Sequence, residues 1–132
     1  MKRINQNKEW EKLSNSAWKV RNNSYIYGKT KVGASVLSEN NNIFVGCNIE
    51  HMYRSHDIHA EINAVSSMIS SGDRKIKKIL IVAERTFFTP CGSCMDWIMQ
   101  FADKNTLIGF QKEPDGEIQI FTPSDLMPYY PK

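Results

Sequence analysis

Residues 59–101 read HAEINAVSSMISSGDRKIKKILIVAERTFFTPCGSCMDWIMQF, and this stretch decides the fold. After His59, Ile62, Val65 and Ile69 recur on one helical face, and Gly72 supplies a C-terminal stop. The run Ile79 to Ala83 is continuously apolar, as in a central strand buried on both faces. After Pro90 a second helix is expected to about Phe101, with Trp97, Ile98 and Phe101 turned inward. Helix, buried strand and helix in that order form the unit of a layered α/β domain. Both helix starts also carry chemistry. His59-Ala60-Glu61 and Pro90-Cys91-Gly92-Ser93-Cys94 offer one imidazole and two thiolates. Three protein ligands are what a catalytic zinc takes, its fourth tetrahedral position staying open for water. Glu61 follows the histidine too closely for an easy second bond to the same ion, yet is well placed to move protons beside it.

Outward from this stretch, Trp10, Leu13, Ala17 and Val20 recur at helical spacing, with Asn22-Asn23-Ser24 as a stop. Val32 to Leu37 and Ile43 to Cys47 are short β-rich runs, and the turn-forming cluster Glu39-Asn40-Asn41-Asn42 joins them as a hairpin. Asn48 to Ile58 reads as a loop. Thr106 to Phe110 and Glu117 to Phe121 form two more strands around Pro114-Asp115-Gly116, and Pro123 to Met127 makes a short terminal helix. No repeat, linker or low-complexity segment interrupts the order. It predicts an α/β fold, a three-layer α/β/α arrangement on one mixed five-stranded sheet, as a single domain over 1–132.

Composition narrows the class. At 132 residues and 41% hydrophobic, the chain can bury an ordinary core. A net charge of +3 gives no strong basic surface for nucleic acid, and no accessory module for it is visible. Lys75, Lys77 and Lys78 are expected on a solvated face before a strand. No apolar run reaches transmembrane length, and MKRINQNKEWEK lacks the apolar stretch of a signal peptide. A cytoplasmic location is therefore expected. Three cysteines, two of them in a Cys-x-x-Cys pair, suit a reducing compartment and a metal.

The His-x-Glu and Pro-Cys-x-x-Cys pair resembles the signature of the cytidine deaminase superfamily. Tyr27 to Ser35, YGKTKVGAS, and Gly46 to Glu50, GCNIE, are similar to substrate-side motifs of its small homotetrameric members. The resemblance covers roughly residues 10 to 130. It implies a zinc-dependent hydrolytic deaminase of cytidine or deoxycytidine, with Zn2+ on His59, Cys91 and Cys94, Glu61 as catalytic proton shuttle, and Asn48 and Glu50 on the ribose hydroxyls. It also implies a homo-oligomer, a tetramer favoured over a dimer, with Tyr129 and Tyr130 where a subunit contact is expected. Both cysteines fall at a helix start, where the dipole is expected to lower a thiol's pKa and help thiolate ligation.

Departures from the pattern are specific. Where the family places Phe-Pro before Val-Gly-Ala, Thr30-Lys31 stands here, so an aromatic that packs on the base is missing, with Tyr53, Phe87 and Phe88 as replacements. Met95-Asp96 replaces the common Arg-Gln after the last cysteine. HAEI replaces CAER, and Ile62 fits His59, because two thiolates and an imidazole balance a divalent cation that three thiolates would overcompensate. Blasticidin S deaminases vary at similar positions, so a modified cytosine nucleoside is an alternative substrate. From another class comes a non-enzymatic zinc-stabilised interaction domain, which would have no use for Glu61. Cys-x-x-Cys alone would equally suit structural zinc. Cys47, inside an apolar strand, reads as an inert buried thiol rather than a ligand. His56 with His59 could mimic a two-histidine metal pair, but the resemblance assigns only His59.

Overall fold

The computed structural model describes residues 2–131, with side chains from Lys8 onward. Met1 and Lys132, the two ends of the expected domain, lie outside the described residues. The order is α1 (Lys2–Arg21), β1 (Val32–Ser38), β2 (Ile43–Cys47), a 3-10 turn (Arg54–His56), α2 (Ala60–Ser71), β3 (Ile76–Ala83), α3 (Gly92–Phe101), β4 (Leu107–Gln111), β5 (Gln119–Phe121) and α4 (Pro123–Leu126). The five strands form one sheet in the order β2-β1-β3-β4-β5, antiparallel except for the β3–β4 pair. α3 makes the crossover that a parallel pair requires.

Strand β3 organises the layers. Its alternating side chains serve two cores: Leu80 and Val82 pack with Trp10, Leu13 and Ala17 of α1, while Ile79, Ile81 and Ala83 pack with Ala64, Val65 and Met68 of α2 and Ile98 of α3. Both faces are therefore covered, which is why the run carries no polar alternation. Burying each such aliphatic side chain contributes about 1.5–3 kcal/mol. The expected α/β/α sandwich on a mixed five-stranded sheet is what forms.

Two sequence expectations fail, both for reasons of phase. β3 begins at Ile76, so Lys78 shares the face of Leu80 and Val82 and is buried beneath α1, with only Lys75 and Lys77 exposed. Glu9 of α1 takes up the Lys78 charge, and the ammonium lies 5.5 Å from the centre of the Trp10 ring. Trp97 is 41% exposed rather than inward. The inner stripe of α3 is Cys94, Met95 and Ile98, and Phe101 is only half-buried.

Two glycines fix how α2 sits. Gly72 ends the helix at φ 105, a left-handed conformation that glycine adopts without strain. A Cβ at Gly46 would come within 2.5 Å of the Ala64 amide nitrogen and 2.8 Å of the Ala60 carbonyl oxygen. Strand β2 thus presses directly on the helix that begins at the site.

Candidate active site

Two helix starts meet beyond the C-terminal end of β3. His59 is the N-cap of α2 (φ −77, ψ 152) and Cys91 the N-cap of α3 (φ −71, ψ 173), both in extended backbone. Neither side chain caps its own helix, although this position ordinarily favours a Ser, Thr, Asp or Asn that does. Their side chains turn to each other instead. His59 Nδ1 is 3.2 Å from Cys94 Sγ and 3.4 Å from Cys91 Sγ. All three donor atoms lie within 4.8 Å of one another, the one such group among the described residues.

This donor set fits zinc. Bond lengths of about 2.0–2.1 Å to nitrogen and about 2.3 Å to sulfur put tetrahedral N–S edges near 3.6 Å, a few tenths of an ångström from these separations. The electrostatics also ask for a cation. Burial above all, then Glu61 and Cys91 beside it, pushes the Cys94 thiol far above its ordinary value. Burial therefore holds the Cys94 thiol up, where the sequence suggested a lowered value. A thiolate there needs a metal beside it.

Glu61, in the first turn of α2, is 3% exposed and has no salt-bridge partner among the described residues. Burial raises its carboxyl above the usual range, opposed in part by its own backbone amide, His59 and Cys94. A buried carboxyl without an ion-pair partner, facing a cavity, suits proton exchange.

The cavity has a volume of about 480 Å3 and brings Asn48, Glu50, His59, Glu61 and Cys91 onto one wall system. Cys94 lies buried and outside its lining. Asn48 and Glu50 knit the two substrate-side motifs together. Asn48 Oδ1 accepts from the Val32 amide at 2.9 Å, and its Nδ2 donates to the Thr30 carbonyl at 3.0 Å. Glu50 Oε1 accepts from the Tyr27 and Gly28 amides at 2.6 and 2.8 Å. The Gly28 amide foremost, with the Tyr27 amide and the Arg54 charge, holds the Glu50 carboxyl below the usual range, against desolvation and the charge of Asp57.

Of the aromatics suggested in place of the one missing at Thr30, Phe87 and Phe88 line the cavity. Tyr53 does not: its ring stacks on His51 at 5.6 Å. Phe88 is held by Phe110 at 5.6 Å and by the Arg85 guanidinium at 5.2 Å, whereas Phe87 is 61% exposed. His56 packs edge-on against His51 and stays out of the metal group, and Cys47 is a buried free thiol. Sequence reasoning missed Arg54 and Asp57, which also line the cavity. The signal was there in the spacing of Glu50, Arg54 and Asp57, acid and base three or four residues apart.

Residues 7–110 match the family described as the cytidine and deoxycytidylate deaminase zinc-binding region. The chain belongs to that family. It is 33% identical over 120 residues to the cytidine deaminase of Sporosarcina psychrophila, covering 89% of this chain and 88% of that one. It is 29% identical over 118 residues to the cytidine deaminase of Halalkalibacterium halodurans, covering 88% and 89%. Among solved structures, the Burkholderia pseudomallei cytidine deaminase superposes with a TM-score of 0.80 at 25% identity, over 89% of this chain and 94% of that one. The Mycobacterium tuberculosis cytidine deaminase gives 0.79 at 23% identity over 93% and 97%, a likeness of fold. The chain is a zinc-dependent hydrolase of the cytidine deaminase type, and zinc is its cofactor.

Proposed function

We propose that this protein hydrolyses cytidine or deoxycytidine to uridine or deoxyuridine with release of ammonia. The observation that carries the reading is a buried Glu61, without an ion-pair partner among the described residues, in the same cavity as His59 and Cys91, with Cys94 buried beside His59. His59, Cys91 and Cys94 are the ligands in this reading. Zinc held there supplies Lewis acidity and activates water at neutral pH. Glu61 takes a proton from the attacking water and delivers it to ring N3, then takes the proton of the hydroxyl newly bonded to C4 and passes it to the amine, so that the C4–N bond breaks, the carbonyl forms and ammonia leaves. The burial of Glu61 beside the metal site suits it to move protons in both directions. Asn48 and Glu50 hold the sugar hydroxyls, and Phe87 packs on the base in the role left open at Thr30.

A second reading, a modified cytosine nucleoside such as blasticidin S, is favoured by that small Thr30 side chain, which leaves room beside the base. The non-enzymatic alternative gives no reason for burying Glu61. Supporting a homo-oligomer, a tetramer before a dimer, are the exposed side chains of Tyr25, Tyr27, Met52, Tyr53 and Phe87. Residues 1–132 act as one deaminase domain in the cytoplasm, in pyrimidine nucleoside salvage. No helix among the described residues is long and apolar enough to cross a membrane. An ammonia-release screen of zinc-loaded protein over cytosine, cytidine, deoxycytidine, cytidine monophosphate, blasticidin S and guanine tests the substrate. Release from guanine and none of the cytosine compounds would overturn the reading.

A further inference from the structure

The loop between Asn48 and His59 holds an acid–arginine–acid set of which these roles use only Glu50. Arg54 Nη2 lies 3.2 Å from Glu50 Oε2, and Arg54 Nε lies 2.9 Å from Asp57 Oδ2. The other Asp57 oxygen accepts from the His51 amide at 2.7 Å, while the other Glu50 oxygen is occupied by the amides of Tyr27 and Gly28. All three side chains line the substrate cavity. Glu50 and Asp57 keep only 14% and 16% of their side-chain surface exposed, against 58% for Arg54. The guanidinium therefore reaches inward between two carboxylates that would otherwise repel.

Exposed ion pairs add little to stability, so a stabilising role does not account for this geometry. Its product is position. A planar fork engages each acid through a different nitrogen, which the single ammonium of lysine cannot reproduce. Asp57 stands two residues before His59, and Glu50 two residues after Asn48. The fork thus ties the sugar-facing end of the loop to its metal-facing end.

We propose that Arg54 is a positioning residue that fixes the Glu50 carboxylate at a set place relative to His59, and thereby sets preference for a nucleoside over its free base. This rests on the reading of Glu50 as a sugar contact. Without the fork, Glu50 keeps its amide contacts but loses the group that orients its second oxygen. Misplacement of a binding group by about 1 Å costs up to about 100-fold.

The test measures uridine and uracil binding by calorimetry on zinc-loaded wild type, Glu50→Ala, Arg54→Ala, Arg54→Lys and the Glu50→Ala/Arg54→Ala double variant. Cytidine turnover and zinc content are followed in parallel. Uridine affinity and cytidine KM should each worsen about 10- to 100-fold in Arg54→Ala. Uracil affinity and zinc content should hold, and kcat should move less than KM. Arg54→Lys should recover little. The double variant should be no worse than Glu50→Ala, because Arg54 acts through Glu50. If Glu50→Ala leaves the uridine-over-uracil preference intact, the sugar reading falls and this proposal with it. If Glu50→Ala abolishes that preference but Arg54→Ala retains it, or the two losses multiply, the sugar reading stands and the proposal is overturned. Zinc loss or unfolding in both Arg54→Ala and Arg54→Lys also overturns it, assigning Arg54 to the integrity of the loop.

Discussion

Nδ1 of His59 lies 3.2 Å from Sγ of Cys94, a contact that joins the starts of two helices beyond the C-terminal end of β3. With Cys91 it defines one nitrogen and two sulfur donors. Protein purified without added zinc should carry one zinc per chain, and X-ray absorption should show that mixed N/S2 shell completed by oxygen. A shell of four protein donors would place the ion in the structural class.

Glu61→Gln should keep the metal and lose at least about 100-fold in turnover, since an amide cannot shuttle protons. Deamination at near wild-type rate would remove Glu61 from the mechanism. The same variant carries a stability signature in the zinc-free protein. Burial raises the Glu61 pKa, so its folded state is favoured below the unfolded value and loses that advantage as pH rises through the raised one. Zinc-free Glu61→Gln should therefore melt higher than zinc-free wild type at pH 8, with the gap closing toward pH 4. A gap that widens on acidification would contradict the assigned shift.

Asp73 gives the opposite sign. Ser38 Oγ donates to it at 2.6 Å, and Asn40 and Asn42 donate at 2.9 and 3.0 Å, pinning the β1–β2 turn to the end of α2. These hydrogen bonds, Ser38 first, depress its pKa, so its contribution is present above the unfolded value of about 3.9 and lost as pH falls through the folded one. Asp73→Ala should lower Tm at pH 7, and thermal melts from pH 7 to 2.5 should show the difference shrinking below about pH 4. A constant difference across that range would mean that the turn is held by packing alone.

His59→Cys would add a negative charge at the metal and weaken it as a Lewis acid, so activity near neutral pH should fall with zinc still bound. Ile62→Arg should restore part of the loss in that background and be neutral or harmful alone. A double-mutant cycle on turnover and zinc affinity reads the coupling. Simple additivity would leave the pairing of His59 with Ile62 needing another explanation.

Light scattering across a dilution series should find an oligomer in the active protein. Full activity in a monomer at every concentration would assign the exposed Tyr25, Tyr27 and Tyr53, and Tyr129 in the terminal segment, to ordinary surface.

What was legible in the sequence followed from periodicity and from chemistry held in short motifs. The apolar run from Ile79 to Ala83 announced a strand covered on both faces, and His59, Glu61, Cys91 and Cys94 came together as their motifs required. Lys78 was misread because β3 begins at Ile76, ahead of the apolar run, and takes Lys78 onto the face of Leu80 and Val82; Trp97 was misread because the inward stripe of α3 runs through Cys94, Met95 and Ile98. Lys78 also needed a partner, Glu9, that is distant in the chain and close only once α1 has docked. Arg54 went unread for a different reason: its significance lies in touching two acids at once, and no periodicity reports that.

The helix starts carry one last consequence. α2 and α3 each give up the position where a side chain normally caps the free amides, spending it on His59 and Cys91. Zinc held by these residues would clasp two helix starts that lack side-chain caps, so that loading it would be part of finishing the fold. Cells short of zinc would hold less finished protein as well as less active enzyme, with the loosened backbone confined to the first turns after His59 and Cys91, where hydrogen exchange would find it.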